Sequence, residues 1–121
     1  MGQLEVTVVE GRNFKQKDTF SANDAYVKIY LDEKTPKEKT KAKLNSNNPT
    51  WNQSFFFNHL YGQDTLHLDI YDKDAIKDEK IGSVHIDLHQ LYLKGHIDDW
   101  FDILDTQGQI RLILHYERLQ I

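Results

Sequence analysis

A chain of 121 residues suits one domain, and its 39% hydrophobic and 12% aromatic residues suffice for one packed core. It has no cysteine, which excludes a disulfide framework and a thiolate metal site and fits a reducing compartment. The formal net charge of -4 hides an asymmetry, with lysines crowded over 28–43 and acids in two loop regions, so a uniformly basic nucleic-acid binder is excluded.

Period-two alternation organises most of the chain. Residues 3–10 put Leu4, Val6 and Val8 on one face of a half-buried strand. Residues 11–24 are turn-rich and predict a long loop. Residues 25–31 alternate again, Val27, Ile29 and Leu31 against Tyr26, Lys28 and Tyr30. After a turn over 32–36, Lys37, Lys39, Lys41 and Lys43 recur at every second position, which predicts four lysines on one face of one strand. Asn47-Asn48-Pro49 breaks the pattern, and 51–58 is an aromatic strand whose Trp51, Phe55 and Phe57 are candidate core residues.

Leu66, Leu68 and Ile70 mark a fifth strand, which runs into a loop carrying Asp72, Asp74, Asp78 and Glu79. A sixth strand follows Gly82 with Val84, Ile86 and Leu88. Residues 89–99 predict an irregular or short helical crossing. Trp100, Asp102 and Leu104 suggest a seventh strand, and Ile110, Leu112, Leu114 and Tyr116 an eighth. The expectation is an all-β, eight-stranded antiparallel sandwich filling residues 1–121 as a single domain.

Several carboxylates on one short loop repel one another, and a hard cation with oxygen ligands is the first candidate to offset this; a solvated acidic turn is the bland alternative. An EF-hand is excluded, because the fifth and sixth positions counted from Asp72 are Ile76 and Lys77. In a sandwich the loops gather at two ends, so Asp18 and Asp24 of the 11–24 loop are expected beside Asp72, Asp74, Asp78 and Glu79. With loop carbonyls and water, such a set meets calcium's need for about 6–8 oxygens. Phe20 and Ile76 sit mid-loop, where an apolar side chain has no core to join, and are candidates for membrane insertion. His85 and His89 are four apart but in a strand pattern, and no acid or cysteine completes a zinc site around them. No nucleophile elbow or phosphate-cradling glycine loop is present, so no enzyme is expected.

These segments resemble the C2 domain family of calcium- and lipid-binding sandwiches. LEVTVVEGRNF, NDAYVKIYL, TKAKLNSNNPTWNQSFFF and LHLDIYDKD…EKIG are similar to the family's successive motifs, in order and at matching separations. The resemblance implies the type II strand order. It implies calcium ligands at Asp18, Asp24, Asp72, Asp74 and Glu79, with Asp78 as a substitute for Glu79 and backbone carbonyls from Thr19 and Lys73. Glu79 stands where the family usually has Asp, the 72–82 loop is one residue shorter than common, and Ala25 replaces the usual Pro.

The resemblance also implies a phosphoinositide headgroup site at Tyr26, Lys28, Lys39 and Lys41 on the concave sheet face. The expected function is calcium-dependent binding to anionic phospholipid membranes by a monomeric, cytoplasmic module recruited reversibly to the membrane surface. The alternative is a calcium-independent module of the same fold that binds a protein partner or phosphoinositides.

Overall fold

Leu4, Val6 and Val8 are all fully buried in the computed structural model, as alternation requires, and the strand that carries them is the centre of one sheet. The structure describes residues 1–18, 20–34 and 36–119. Eight strands and one short helix follow in order: β1 (Gly2–Arg12), β2 (Ala25–Tyr30), β3 (Glu38–Lys39), β4 (Thr50–His59), β5 (Thr65–Asp72), β6 (Glu79–Asp87), α1 (His89–Lys94), β7 (His96–Asp102) and β8 (Gln109–Arg118). They form two four-stranded antiparallel sheets, ordered β4-β1-β8-β7 and β3-β2-β5-β6. The core between them is built from the alternating residues of both, among them Val27, Ile29, Leu66, Leu68, Ile70, Ile110, Leu112 and Leu114, each fully buried. This is the antiparallel sandwich that the alternation predicts.

Two expectations fail locally. The four-lysine strand shrinks to the two residues of β3. Lys39 pairs with Lys28 and Glu38 with Ile29, but the next bridge joins Lys43 to Ala25, one residue out of step. Thr40 marks the slip: it is 4% exposed, its N–H donates to the Val27 carbonyl, and its hydroxyl accepts from the Val27 N–H. A one-residue shift exchanges faces, so Lys43 leaves the row that Lys37 and Lys39 begin.

The seventh strand starts four residues earlier than the Trp100 pattern suggests, and its inner side carries Ile97 and Phe101. Trp100 lies on the other side, with the Arg12 guanidinium 3.9 Å above its ring, and Leu104 is half exposed. The acids at 98 and 99 hide the first half of this strand from a hydrophobicity pattern.

One end of the sandwich is held by packing rather than by ladder bonds. Phe14, in the segment after β1, is 2% exposed and packs on Trp51 with ring centroids 6.2 Å apart. The Trp51 indole N–H donates to the Ala25 carbonyl at 3.1 Å, tying β4 of one sheet to β2 of the other. Gly11 lies against the Phe14 ring so closely that an added Cβ would stand 2.3 Å from it. The loops at this end therefore leave a fixed platform.

Candidate calcium and lipid site

Segments 13–24, 40–49 and 73–78 meet at that end. Asp24 and Asp72 come together at the β2–β5 edge, where Ala25, next to Asp24, pairs with Asp72. The Asp24 N–H donates to Asp72 Oδ1 at 2.7 Å, and the Lys73 N–H donates to the Asp24 carbonyl at 2.9 Å. The 40–49 segment closes the third side: the Asn45 N–H donates to Asp24 Oδ1 at 2.6 Å, and the Ala22 N–H to Asn45 Oδ1 at 3.1 Å. Asn23, 1% exposed, donates through its side chain to the Lys15 carbonyl and Asn47 Oδ1. Such side-chain-to-backbone bonds replace the missing ladder and fix the carboxylate positions.

Asp72 is the electrostatic centre. Burial pushes its carboxyl up from the usual range, the Asp24 N–H pulls it down, and the charges of Asp24, Asp74 and Asp18 push it up again, with a net rise. Three of the other expected ligands, Asp18, Asp24 and Asp74, thus lie within electrostatic reach of Asp72. Glu79 opens β6 directly opposite Asp72, which places their Cβ atoms about 5 Å apart. Asp78 points elsewhere: it accepts from the Asp74 N–H at 2.9 Å and from the Tyr26 hydroxyl. Thr19 lies outside the described residues. Lys73 contributes its N–H to the Asp24 contact, and its side chain lines the neighbouring groove.

The donor set is all oxygen, which fits a hard cation and not a thiolate- or imidazole-preferring metal. Among the described residues, no three carboxylates or imidazoles already converge around one point. The reason is visible in the bonds: Asp18 Oδ1 takes the Phe20 N–H, Asp24 Oδ1 that of Asn45, Asp72 Oδ1 that of Asp24, and Asp74 Oδ1 that of Ile76. Each of these four carboxylates has its second oxygen outside these bonds.

Phe20 and Ile76 are each 96% exposed, at the tips of the loops that carry Asp18 and Asp74. Leu44, 76% exposed, adds a third apolar side chain at this end, one the sequence pattern missed because it follows the lysine run. No sequence period marks Asn23, Asn45 and Asn47 either, since their role is to bond other loops.

Beside the acidic loops a groove of ≈ 590 Å³ is lined by Tyr26, Lys39, Lys41, Leu44, Lys73 and Asp78. It brings three of the four expected headgroup residues together. Lys28 stands next to them with its ammonium 4.6 Å above the Tyr71 ring. Tyr26 stacks on Tyr71 at 5.7 Å and is 7% exposed. Burial and then the Asp78 contact push its hydroxyl up to about 12. The Tyr26 bond first, then the Asp74 N–H, and also Lys73 and Lys28, hold the Asp78 carboxyl below the usual range. Among the described residues, no helix is long and apolar enough to cross a membrane.

A family model described as the C2 domain matches residues 2–103. The chain is 36% identical over 118 residues, 94% of its length, to Synaptotagmin-4 of Arabidopsis thaliana, and covers 20% of that protein. It is 38% identical over 94 residues, 74% of its length, to an Arabidopsis thaliana protein named Calcium-dependent lipid-binding protein, and covers 18% of it. A solved C2 domain of a plant Extended Synaptotagmin 1 superposes with a TM-score of 0.85 at 27% identity, over 99% of this chain and 97% of that one. The chain thus spans about a fifth of the length of these two curated relatives.

Proposed function

This chain belongs to the C2 domain family, and from that premise we propose that it binds anionic phospholipid membranes in a calcium-dependent manner, as a targeting module rather than an enzyme. One observation carries the reading most directly: carboxylates from two loops far apart in sequence are gathered at a single end of the sandwich, where the Asp24 N–H bonds Asp72 and where burial first, and then the charges of Asp24, Asp74 and Asp18, push the Asp72 carboxyl up. The name of one relative, a calcium-dependent lipid-binding protein, supports the same reading.

Asp18, Asp24, Asp72, Asp74 and Glu79 would hold the cation, with the backbone carbonyl of Lys73 added to the set. When bound, calcium would supply positive charge that offsets the mutual repulsion of these carboxylates and attracts lipid phosphate oxygens. The carboxylates keep the loop end off an anionic surface until they are neutralised. Lys28, Lys39 and Lys41, with Tyr26, then meet headgroup phosphates, phosphoinositides among them, at about 1 kcal/mol per lysine near such a surface. Phe20 and Ile76 enter the interface last. The module acts as a monomer, at the cytoplasmic face of a membrane.

Sedimentation with phosphatidylserine vesicles and with phosphatidylcholine vesicles, in calcium and in chelator, tests this. The expected result is binding only to the anionic vesicles and only with calcium. Equal binding with chelator would assign the domain to calcium-independent lipid recognition, and no binding under any condition to protein partners.

A further inference from the structure

The outer face of the β3-β2-β5-β6 sheet carries a second constellation, remote from the acidic loops. Tyr30, His67 and His85 are successive cross-strand partners on β2, β5 and β6. Tyr30 stacks on His67 with ring centroids 5.0 Å apart and 20° between planes, and the Lys37 ammonium lies 4.3 Å above the Tyr30 ring. His67 meets His85 edge to face, centroids 4.9 Å apart at 73°, and their Nδ1 atoms are 2.8 Å apart. His67 is five residues from Asp72 along β5, about 16 Å at the rise of a strand.

We propose that His67 and His85 form a two-nitrogen chelate for a divalent transition metal of the copper or nickel class.

The spacing selects the metal. Two imidazole nitrogens at about 2.0–2.1 Å from one ion stand about 2.8–3.0 Å apart when the angle between them is 90°, as in square-planar or octahedral sites. A tetrahedral angle needs about 3.3–3.4 Å. The hydrogen bond between the rings holds the two Nδ1 atoms at 2.8 Å, so a right-angle site turns both lone pairs off that line to one point at nearly the same separation, while zinc would also have to open the pair. Copper(II) also heads the affinity order for nitrogen ligands.

The scaffold is set in advance. Both residues sit on hydrogen-bonded strands, and the Tyr30 stack holds the His67 ring. Burial, and then His85, hold the His67 imidazolium below its usual range, so the ring is available as a neutral ligand. Asp69, Glu33 and Asp32 are within electrostatic reach of His67 and favour added positive charge there. Binding exchanges the single hydrogen bond between the two rings for two metal bonds. With both Nδ1 atoms on the metal, each ring carries its proton on Nε2. Among the described residues no third side-chain ligand completes the set, and water takes the remaining positions.

Copper(II) chloride titrated into the full chain, read by electron paramagnetic resonance and calorimetry, tests the proposal. One equivalent is expected, with a two-nitrogen equatorial signature and weaker binding to nickel and zinc. His67→Ala and His85→Ala should each weaken copper binding about tenfold or more. His96→Ala is the control, because His96 faces His115 across β7 and β8 with centroids 6.3 Å apart; it should leave the affinity unchanged. Millimolar calcium should not displace the copper. A His67→Ala or His85→Ala variant that is folded by circular dichroism and binds copper like the parent overturns the proposal, as does displacement of copper by calcium.

Discussion

The Tyr26 hydroxyl donates a hydrogen bond to the Asp78 carboxylate, joining the proposed headgroup groove to the loop that carries the proposed calcium ligands. Tyr26 stands on β2 and Asp78 directly before β6, on either side of β5. Asp78 is therefore an internal anion among lysines, close enough to Lys73 and Lys28 that both help lower its pKa.

From this contact follows the first prediction. A phosphate entering the groove competes with a carboxylate already there. Asp78→Asn removes that charge and keeps an acceptor for Tyr26. Binding to phosphoinositide vesicles in calcium should strengthen about fivefold, corresponding to ~1 kcal/mol for one charge near the surface. Weaker or equal binding in a sedimentation assay would contradict the competition.

The second prediction concerns pH and calcium together. The folded-state pKa of Asp72 is raised. Its contribution to stability is then fully present below the ordinary carboxyl value, about 3.9, and lost as pH rises through the raised folded value. At neutral pH the Asp72 charge works against the native state. Asp72→Asn keeps an oxygen for the Asp24 N–H while removing the charge. In chelator at pH 7 the variant should melt above the parent, and the gap should close on acidification toward about pH 4. In calcium the order should reverse, because the parent gains about 2.7 kcal/mol at 100 times its dissociation constant. A variant melting below the parent in chelator at pH 7 would rule out net repulsion at this position.

Asp24 and Asp72 were legible as neighbours because Asp24 directly precedes one clean period-two strand and Asp72 closes another, and sandwich loops gather at the ends. The core faces of β1, β2, β5 and β8 were legible for the same reason. Phe14 was not, since it sits alone in a turn-rich run and its burial depends on Trp51, which lies 37 residues further on. Nor was the break in the lysine row, because a one-residue slip at Thr40 leaves the lysine spacing unchanged. The start of β7 was not legible, because Asp98 and Asp99 interrupt its apolar pattern and Trp100 packs under Arg12 on the outer side. The Tyr26–Asp78 bond spans 52 positions and leaves no local mark.

The third prediction separates the groove from the loops. Lys39 and Lys41 line the groove, whereas the carboxylates around Asp72 lie at the loop end. Lys39→Ala combined with Lys41→Ala should weaken binding to phosphoinositide vesicles by roughly 2 kcal/mol and reduce its salt sensitivity. Calcium-dependent stabilisation in solution should be unchanged. Unaltered vesicle binding by the double variant would make these lysines protection for the short edge strand β3 instead.

The fourth prediction follows Phe20 and Ile76 into the bilayer. Each is 96% exposed, so neither contributes to the core. Their loops are anchored by the Asp24–Asp72 and Lys73–Asp24 bonds, which hold both tips at the same end. In chelator, the carboxylates beside them should keep the tips off an anionic surface. With calcium both tips can enter together, and complete burial of a Phe or Ile side chain is worth roughly 1.5–3 kcal/mol, partial insertion less. Phe20→Ala should mainly raise the off-rate from vesicles, since insertion follows the electrostatic encounter that sets the on-rate. Phe20→Trp gives an emission probe at the same position. Its fluorescence should shift to the blue only when calcium and phosphatidylserine vesicles are both present. A blue shift with calcium alone would mean that the side chain folds back onto the protein. No shift under any condition would leave both tips in water, and attachment would then rest on the carboxylate-bound cation and the lysines.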